Sequence, residues 1–417
     1  MRIWIVYQYA VPPDRAGIAR HYLLAREWIR RGHEVVVIAS SFHHATRKEQ
    51  APGTRQVSHY EEIQGVPFVW ISAPPYESST VARVWNMAVF GARVMLQEGL
   101  RTLPRPDVVV GSTPQPFAAL AAKYVARRLG VPFVFEVGDL WPQTLIDLGG
   151  YSPFHPFIFL LDRIERHLYR KSDFVVSMLP GAVEYMVAKG ARRSRIAWIP
   201  NGVDLDMAPR VAPFPPRDVQ VVTYAGAHGL ANDLDSILDA AAMLISDGWG
   251  DRVRFRFIGD GPEKPRLQKR RRSESLYNVE FLDAVPKSMI YDELAKSDTL
   301  IVALRDVGLY RWGISLNKLY DYLAVGRPVI FAGNSVNNPV EEAAAGITVR
   351  PQRPLEIVQA IKRLADLPHE ERVAMGQRGR AFVERHHNFR HLAGSFEQVI
   401  LQVVAGPHPR TGLATSV

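Results

Sequence analysis

Short apolar runs alternate with helix-length amphipathic segments from the first residue onward, and this alternation leaves few architectures open. Residues 2–7 read as a strand, a helix runs through about 17–31, and 34–39 follows with Val35, Val36, Val37 and Ile38 in succession. Such a run keeps no face for water, so the strand is expected to be buried on both sides. Further strands are expected at 66–71, 107–111, 132–136, 173–177 and 195–199, with helices such as 81–103 and 116–129 between them. Strands alternating with helices build a parallel, doubly wound sheet.

After the turn dipeptide Asn201-Gly202, the stretch 206–217 carries four prolines and no periodicity, the mark of an extended connector. The alternation then restarts. Strands are expected at 219–224, 253–258, 279–282, 299–304 and 328–331, with helices at 231–245, 262–272, 287–296 and 316–325. The fold class is therefore α/β with two Rossmann-like lobes, 1–203 and 204–385. A C-terminal helix with a frayed tail, 386–417, is expected to pack back on the first lobe. The length of 417 residues suits about two to three ordinary domains.

Cysteine is absent, which excludes disulfide scaffolds, thiolate zinc sites and a cysteine nucleophile. The 51 Lys+Arg against 42 Asp+Glu leave a net charge of +9, suited to a nucleotide, a nucleic acid or an anionic membrane. No nucleic-acid-binding motif is recognisable, so nucleic acid is not expected as a partner. No apolar run reaches the ~20 residues of a spanning helix, and the N-terminal stretch is punctuated too soon for a secretory signal. A cytoplasmic protein is expected, with attachment to the inner face of the cell membrane left open.

In doubly wound sheets, ligands bind beyond the carboxyl ends of the strands. Four stretches there could carry chemistry. In Tyr224-Ala225-Gly226-Ala227-His228-Gly229 a glycine turn joins a strand to a helix, where free N–H groups and the helix dipole attract phosphate. Gly226 and Gly229 could equally be tight-turn residues, and His228 a solvated loop histidine. The turn Gly259-Asp260-Gly261-Pro262, followed by Lys264, repeats the pattern. In the third, Ser315 is placed to cap a helix through Asn317, and Lys318 and Asp321 share a face near its start. A carboxylate there suits ribose hydroxyls and the cation suits a diphosphate, although the two also read as an ordinary solvated pair. The fourth, Glu136-Val137-Gly138-Asp139-Leu140-Trp141-Pro142, sets two acids and an aromatic face where sugar hydroxyls and C–H groups would fit. Its alternative is a core tryptophan with Asp139 as a helix cap.

Arg30-Arg31-Gly32-His33-Glu34-Val35, Ile199-Pro200-Asn201-Gly202-Val203-Asp204, the Gly259 turn and residues 319–328 follow in an order and spacing that resembles the retaining glycosyltransferases of family four. The resemblance spans nearly the whole chain. It implies the GT-B fold, with a nucleotide sugar bound in an interlobe cleft. Residues 136–142 look most like the subgroup that adds deoxy- or acetamido-sugars in O-antigen and capsule assembly on a lipid carrier. What the resemblance implies is a UDP- or GDP-linked donor and a glycan or polyprenyl-diphosphate-linked acceptor. The implied donor site takes in Gly17, Gly226, His228, Gly229, Gly259, Gly261, Lys264, Ser315, Asn317, Lys318 and Asp321, the last holding the ribose.

Two features depart from the family pattern. Its paired acids have seven residues between them; Asp321 matches the second, and the first falls on Gly313. Its Arg and Lys clamp on the diphosphate has no counterpart in residues 226–232. Lys318 is therefore expected to carry the diphosphate, with Arg305 or Arg311 as further cations. The implied reaction is front-face transfer with retention, needing no protein nucleophile, so the main catalytic contribution is charge stabilisation on the departing phosphate. Asp139, Glu136 and Lys318 are the expected catalytic residues, with no cofactor and no metal. Residues 151–171, rich in Phe, Leu and Arg, suit an anionic membrane surface, and equally a helix that simply packs on its sheet. A nucleotide-sugar epimerase or phosphorylase of the same fold, and a catalytically silent binding module, are the competing readings.

Overall fold

The computed structural model describes residues 1–406 apart from 16, 18, 45, 51–55, 78–79 and 211–214. The chain divides into two compact units, Met1–Pro200 joined by the segment from Phe389, and Asn201–Asn388. The sequence reading had set the divisions at 203 and 385. Local bonding explains the difference. Arg20 binds the carbonyls of Ile199 and Pro200, tying them into the first unit, whereas Asn201 bonds Ser315 of the second. Likewise Asn388 bridges to Val203, while Phe389 enters the core of the first unit.

The first unit begins β1 (Arg2–Val6), α1 (Arg20–Arg30), β2 (Glu34–Ser40), β3 (Ser58–Ile63), β4 (Val66–Ile71) and α2 (Thr80–Met95). It continues β5 (Val108–Ser112), α3 (Pro116–Leu129), β6 (Phe133–Val137), α4 (Gln143–Asp147) and α5 (Pro156–Lys171). It closes with β7 (Phe174–Ser177), α6 (Val183–Ala188) and β8 (Ile196–Trp198). The sheet order is β3-β4-β2-β1-β5-β6-β7-β8. Every pairing is parallel except β3 with β4. β3 was not expected, because its sequence SHYEEI is polar and mostly accessible, as an edge strand can be. It is formed by a hairpin: Gln64 and Gly65 both have positive φ, which matches the twist of a two-residue turn.

Strands β1, β2, β5 and β6 are almost wholly buried, as a doubly covered parallel sheet requires. The helices are placed by local signals. α3 opens where the Gln115 side chain accepts from the amides of Phe117 and Ala118 at 2.7 and 3.1 Å, and it ends at Gly130 in the left-handed region. Gln115 also bonds Gln8, which bonds Asn86, so a buried amide chain fixes α2 and α3 to the carboxyl end of β1. The switch point of this sheet lies between β1 and β5.

The second unit runs β9 (Gln220–Ala225), α7 (Leu234–Ser246), β10 (Val253–Ile258), α8 (Lys264–Ser273), β11 (Val279–Leu282) and α9 (Lys287–Ala295). Next come β12 (Thr299–Ala303), α10 (Asn317–Val325), β13 (Val329–Ala332), α11 (Pro339–Glu342), β14 (Gly346–Val349), α12 (Pro354–Asp366) and α13 (His369–His386). Its all-parallel sheet has the order β11-β10-β9-β12-β13-β14, with apolar clusters on both faces and the switch point at β9 and β12. The chain then returns to the first unit with α14 (Phe389–Ala405), where Phe396 meets Trp28 of α1 edge-on and Trp28 donates to the Ala393 carbonyl. Part of the proline-rich connector, 211–214, lies outside the described residues. Among the described residues no helix is long and apolar enough to cross a membrane.

Candidate active site

In the second unit two glycine turns lie against each other at the carboxyl ends of β9 and β10. Gly226 N donates to the Ile258 carbonyl at 2.9 Å, His228 N to the Asp260 carbonyl at 2.8 Å, and Glu263 N to the His228 carbonyl at 3.0 Å. A Cβ on Gly259 would stand 2.0 Å from the Gly226 carbonyl oxygen, and one on Gly261 would stand 2.5 Å from that of His228. Both glycines also have positive φ, so backbone conformation and close approach demand the same residue.

Lys318, the second residue of α10, reaches across to these turns. Its Nζ donates to the Tyr224 hydroxyl at 2.8 Å and to Asn232 Oδ1 at 2.5 Å, and stands 4.6 Å from the Tyr224 ring centroid. Tyr224 and Asn232 in turn donate to the Ala227 carbonyl, which fixes this cradle. All of these acceptors are neutral. No carboxylate pairs with Lys318 among the described residues, and burial pushes its ammonium down to about 7. The side chain is still partly accessible, so solvent moderates the effect. A Cβ on Gly226 would lie 3.1 Å from Nζ, so the glycine leaves the cation open to a ligand at the turn.

The start of α10 differs from expectation. Leu316 occupies the N-cap without a side-chain bond, and Ser315 does not cap the helix. Because the helix begins at Asn317, the Ser315 hydroxyl stands outside it and accepts from Asn201 N at 2.8 Å. Asn337 holds Ile314 by both its amide and carbonyl. Two asparagines thus fix the loop and leave the first amides of α10, at exposed Asn317 and at Lys318, without a side-chain cap, an arrangement that favours an anion.

Lys318 and Asp321 do not form the solvated pair allowed by the sequence. Asp321 is buried, accepts from the Tyr291 hydroxyl at 2.7 Å and pairs with Lys287. Lys264 is also engaged, its Nζ donating to the carbonyls of Gly259 and Leu282 and to Asp283 at 2.9, 3.1 and 2.9 Å. His228 is fully buried rather than solvated. Its ring sits among Tyr224, Phe257 and Phe281 with neither nitrogen hydrogen-bonded, and burial, then the charge of Lys264, holds it down to about 4. Its main chain meets the neighbouring turn. Gly229 and Arg305 line a cavity of about 290 Å3 beside α7, together with Asp233 and Arg266. Arg311 is exposed and stacks on Trp312 at 4.6 Å.

In the first unit the acids at the end of β6 have opposite environments. Glu136 is fully buried, with Arg20 Nε at 2.9 Å, His21 Nε2 at 2.7 Å and the Ser112 hydroxyl on its oxygens. Burial alone would raise its pKa, but Arg20 and then His21 hold it well below the usual carboxylate range. A sugar hydroxyl would have to displace one of these partners to reach it. His21, positioned by Glu136, stacks on Tyr7 at 4.0 Å. Neither Arg20 nor His21 was singled out from the sequence, since their partner lies more than a hundred residues away.

Asp139 follows on a turn whose Gly138 amide donates to Thr113 Oγ1 at 2.9 Å. Its side chain is exposed and has no cation partner among the described residues. The protein around it raises its carboxyl above the ordinary value, moderated by the solvent that reaches it. Trp141 is nearly buried against Met87 and Leu161. Gly17 lies in the turn before α1 at φ 140°, with residues 16 and 18 outside the described set.

Residues 16–202 match the glycosyl transferase 4-like domain and residues 219–366 the glycosyl transferases group 1 domain. WcaI of Escherichia coli, a glycosyl transferase named for colanic acid biosynthesis, is 23% identical over 391 residues, covering 89% of this chain and 94% of its own. The alpha-D-kanosaminyltransferase of Streptomyces kanamyceticus is 26% identical over 280 residues, covering 62% and 67%. Among solved structures, sucrose-phosphate synthase from Thermosynechococcus elongatus superposes with a TM-score of 0.72 at 15% identity, covering 97% of this chain and 99% of its own. Anabaena HepE in complex with UDP and glucose gives 0.68 at 14% identity, covering 96% and 99%.

Proposed function

Since the chain belongs to the GT-B glycosyltransferases, with a 4-like domain followed by a group 1 domain, we propose that it transfers a sugar from a nucleoside-diphosphate donor with retention of configuration. The donor is UDP- or GDP-linked, and the acceptor is a glycan or a polyprenyl-diphosphate-linked glycan of cell-surface polysaccharide. The observation that carries this reading is Lys318, a cation with only neutral partners at the meeting of two glycine turns and an uncapped helix start.

In this reading the diphosphate lies against the α10 amides and Lys318, which take up negative charge as the bond to the sugar breaks. The ribose takes Asp321 in exchange for Lys287, whose side chain is 38% exposed and free to move aside. Asp139 accepts a hydroxyl of the acceptor or donor sugar, while Glu136 positions His21. Lys318 supplies the positive charge that a metal would otherwise bring, so the reaction is metal-independent.

Similarity to a colanic acid protein and to a UDP complex supports the polysaccharide and UDP parts of the reading. Phe154, Phe159 and Leu160 are exposed at the start of α5, and Arg163 lies over the Phe159 ring at 5.4 Å. That surface supports attachment to an anionic membrane at the cytoplasmic face.

The test is product analysis with UDP- and GDP-sugars and a lipid-linked acceptor. An acceptor-linked sugar of the donor's anomeric configuration is expected, with the rate falling at least a hundredfold in Lys318→Ala. An inverted product, or Lys318→Ala with unchanged donor affinity and turnover, overturns the reading.

A further inference from the structure

Beyond the carboxyl ends of β4 and β6, close to the Asp139 turn, the first unit holds a cavity of about 210 Å3. Tyr76, Trp141, Tyr151 and Phe157 form its aromatic wall, and Arg47 and Arg83 are its cations. Arg47 stacks over Tyr76 at 4.7 Å from the ring centroid. Among the described residues neither guanidinium has a carboxylate within 4.0 Å, and Arg83 Nε is buried without a hydrogen-bond partner. Glu77, the acid in the lining, is exposed and pairs with neither.

A second observation points the same way. His44, bonded to the Tyr76 hydroxyl, is held down to about 4, first by burial and then by the charges of Arg83, Arg47 and His43. The Tyr9 phenol is raised by its burial, and the charge of Arg83 opposes that rise. Positive charge therefore gathers here above apolar side chains, with no carboxylate paired to either guanidinium among the described residues.

We infer that this cavity is the acceptor site, and that the acceptor presents an oxyanionic group to Arg83 and Arg47 while the aromatic wall packs on its sugar ring. A phosphoryl group and a uronate carboxylate share this chemistry, since either can be held bidentately by guanidinium. The volume lies below the ~300 Å3 at which pockets take a whole drug-sized ligand, so it suits one sugar unit with its charged group. The inference rests on the proposed sugar transfer and specifies the charge of the acceptor.

The experiment is calorimetric titration of the whole chain, with and without saturating UDP, using phenyl phosphate, phenyl β-glucuronide and neutral phenyl β-glucoside as probes. At least one anionic probe is expected to bind tenfold or more tightly than the glucoside, and the tighter of the two identifies phosphoryl or carboxylate recognition. Arg83→Gln and Arg47→Gln are each expected to weaken that probe at least tenfold, and Arg83→Lys to restore part of the loss. Equal binding of all three probes overturns the inference, as does unchanged anion binding in a folded Arg83→Gln protein. Should Arg83→Gln not fold, exposed Arg47→Gln decides by the same criterion. UDP titration scores the donor reading separately: loss of UDP binding in Lys318→Ala with anion binding intact supports both readings, and absence of UDP binding in the unaltered protein removes the donor reading alone.

Discussion

Binding of a nucleoside diphosphate should draw a proton onto Lys318. In the free protein its ammonium has only neutral acceptors and burial lowers its pKa to about 7 from 10.5. A diphosphate at the turn would favour the charged form and return the pKa toward its ordinary value. At pH 8 a group of pKa about 7 is roughly nine-tenths neutral, so uptake should reach at most about 0.9 proton per nucleotide, with ceilings of about 0.5 at pH 7 and about 0.1 at pH 6. Affinity should accordingly weaken above pH 7 by up to about tenfold per pH unit, or about 1.4 kcal/mol. The assay is titration of UDP and of GDP at pH 8 in two buffers of different ionisation enthalpy, whose difference in heat gives the protons taken up. At that pH a terminal phosphate with second pKa near ~6 is already fully ionised and adds little. Uptake near zero, or uptake undiminished in Lys318→Met, would refute the reasoning.

The same shift sets the sign of a stability effect. The unfolded chain holds this proton up to about 10.5 and the folded one only to about 7, so stability rises as pH climbs between them and the penalty is complete below 7. Lys318→Met should therefore raise the ligand-free stability at pH 6.5, by about 1–2 kcal/mol once partial exposure is allowed for, and with it the Tm; a lowered Tm would count against it. Glu136→Gln should destabilise by about 3–5 kcal/mol, because it strips the counter-charge from buried Arg20; an unchanged denaturation midpoint would show that the network is not ionised. Gly259→Ala, with its Cβ 2.0 Å from the Gly226 oxygen, should lower stability by about 2 kcal/mol or more in urea unfolding and weaken UDP binding with it. Turnover should survive exhaustive chelation, whereas a rate restored by added magnesium would contradict a cation role for Lys318.

The family resemblance was legible because its carriers are local. Glycines at strand ends, the helix from Asn317 and the alternation of strands with helices all declare themselves within a few residues, where turn chemistry and burial on both sheet faces act. β3 escaped notice for the converse reason: an edge strand half in water shows little hydrophobic pattern, and its pairing depends on the Gln64-Gly65 turn.

The order of strands and helices, the change of unit near residue 200 and the glycine turns are written in the chain, since each follows from side-chain size, backbone freedom and hydrophobic period. Which charges are matched is not, because partners come from distant elements. Glu136 is taken by Arg20 and His21, Asp321 by Lys287, and Lys264 by Asp283 and two carbonyls, while Lys318, Arg83 and Asp139 are left without an opposite charge among the described residues. Coulomb energies at buried sites depend on separations of a few ångströms, and only the folded backbone sets those separations.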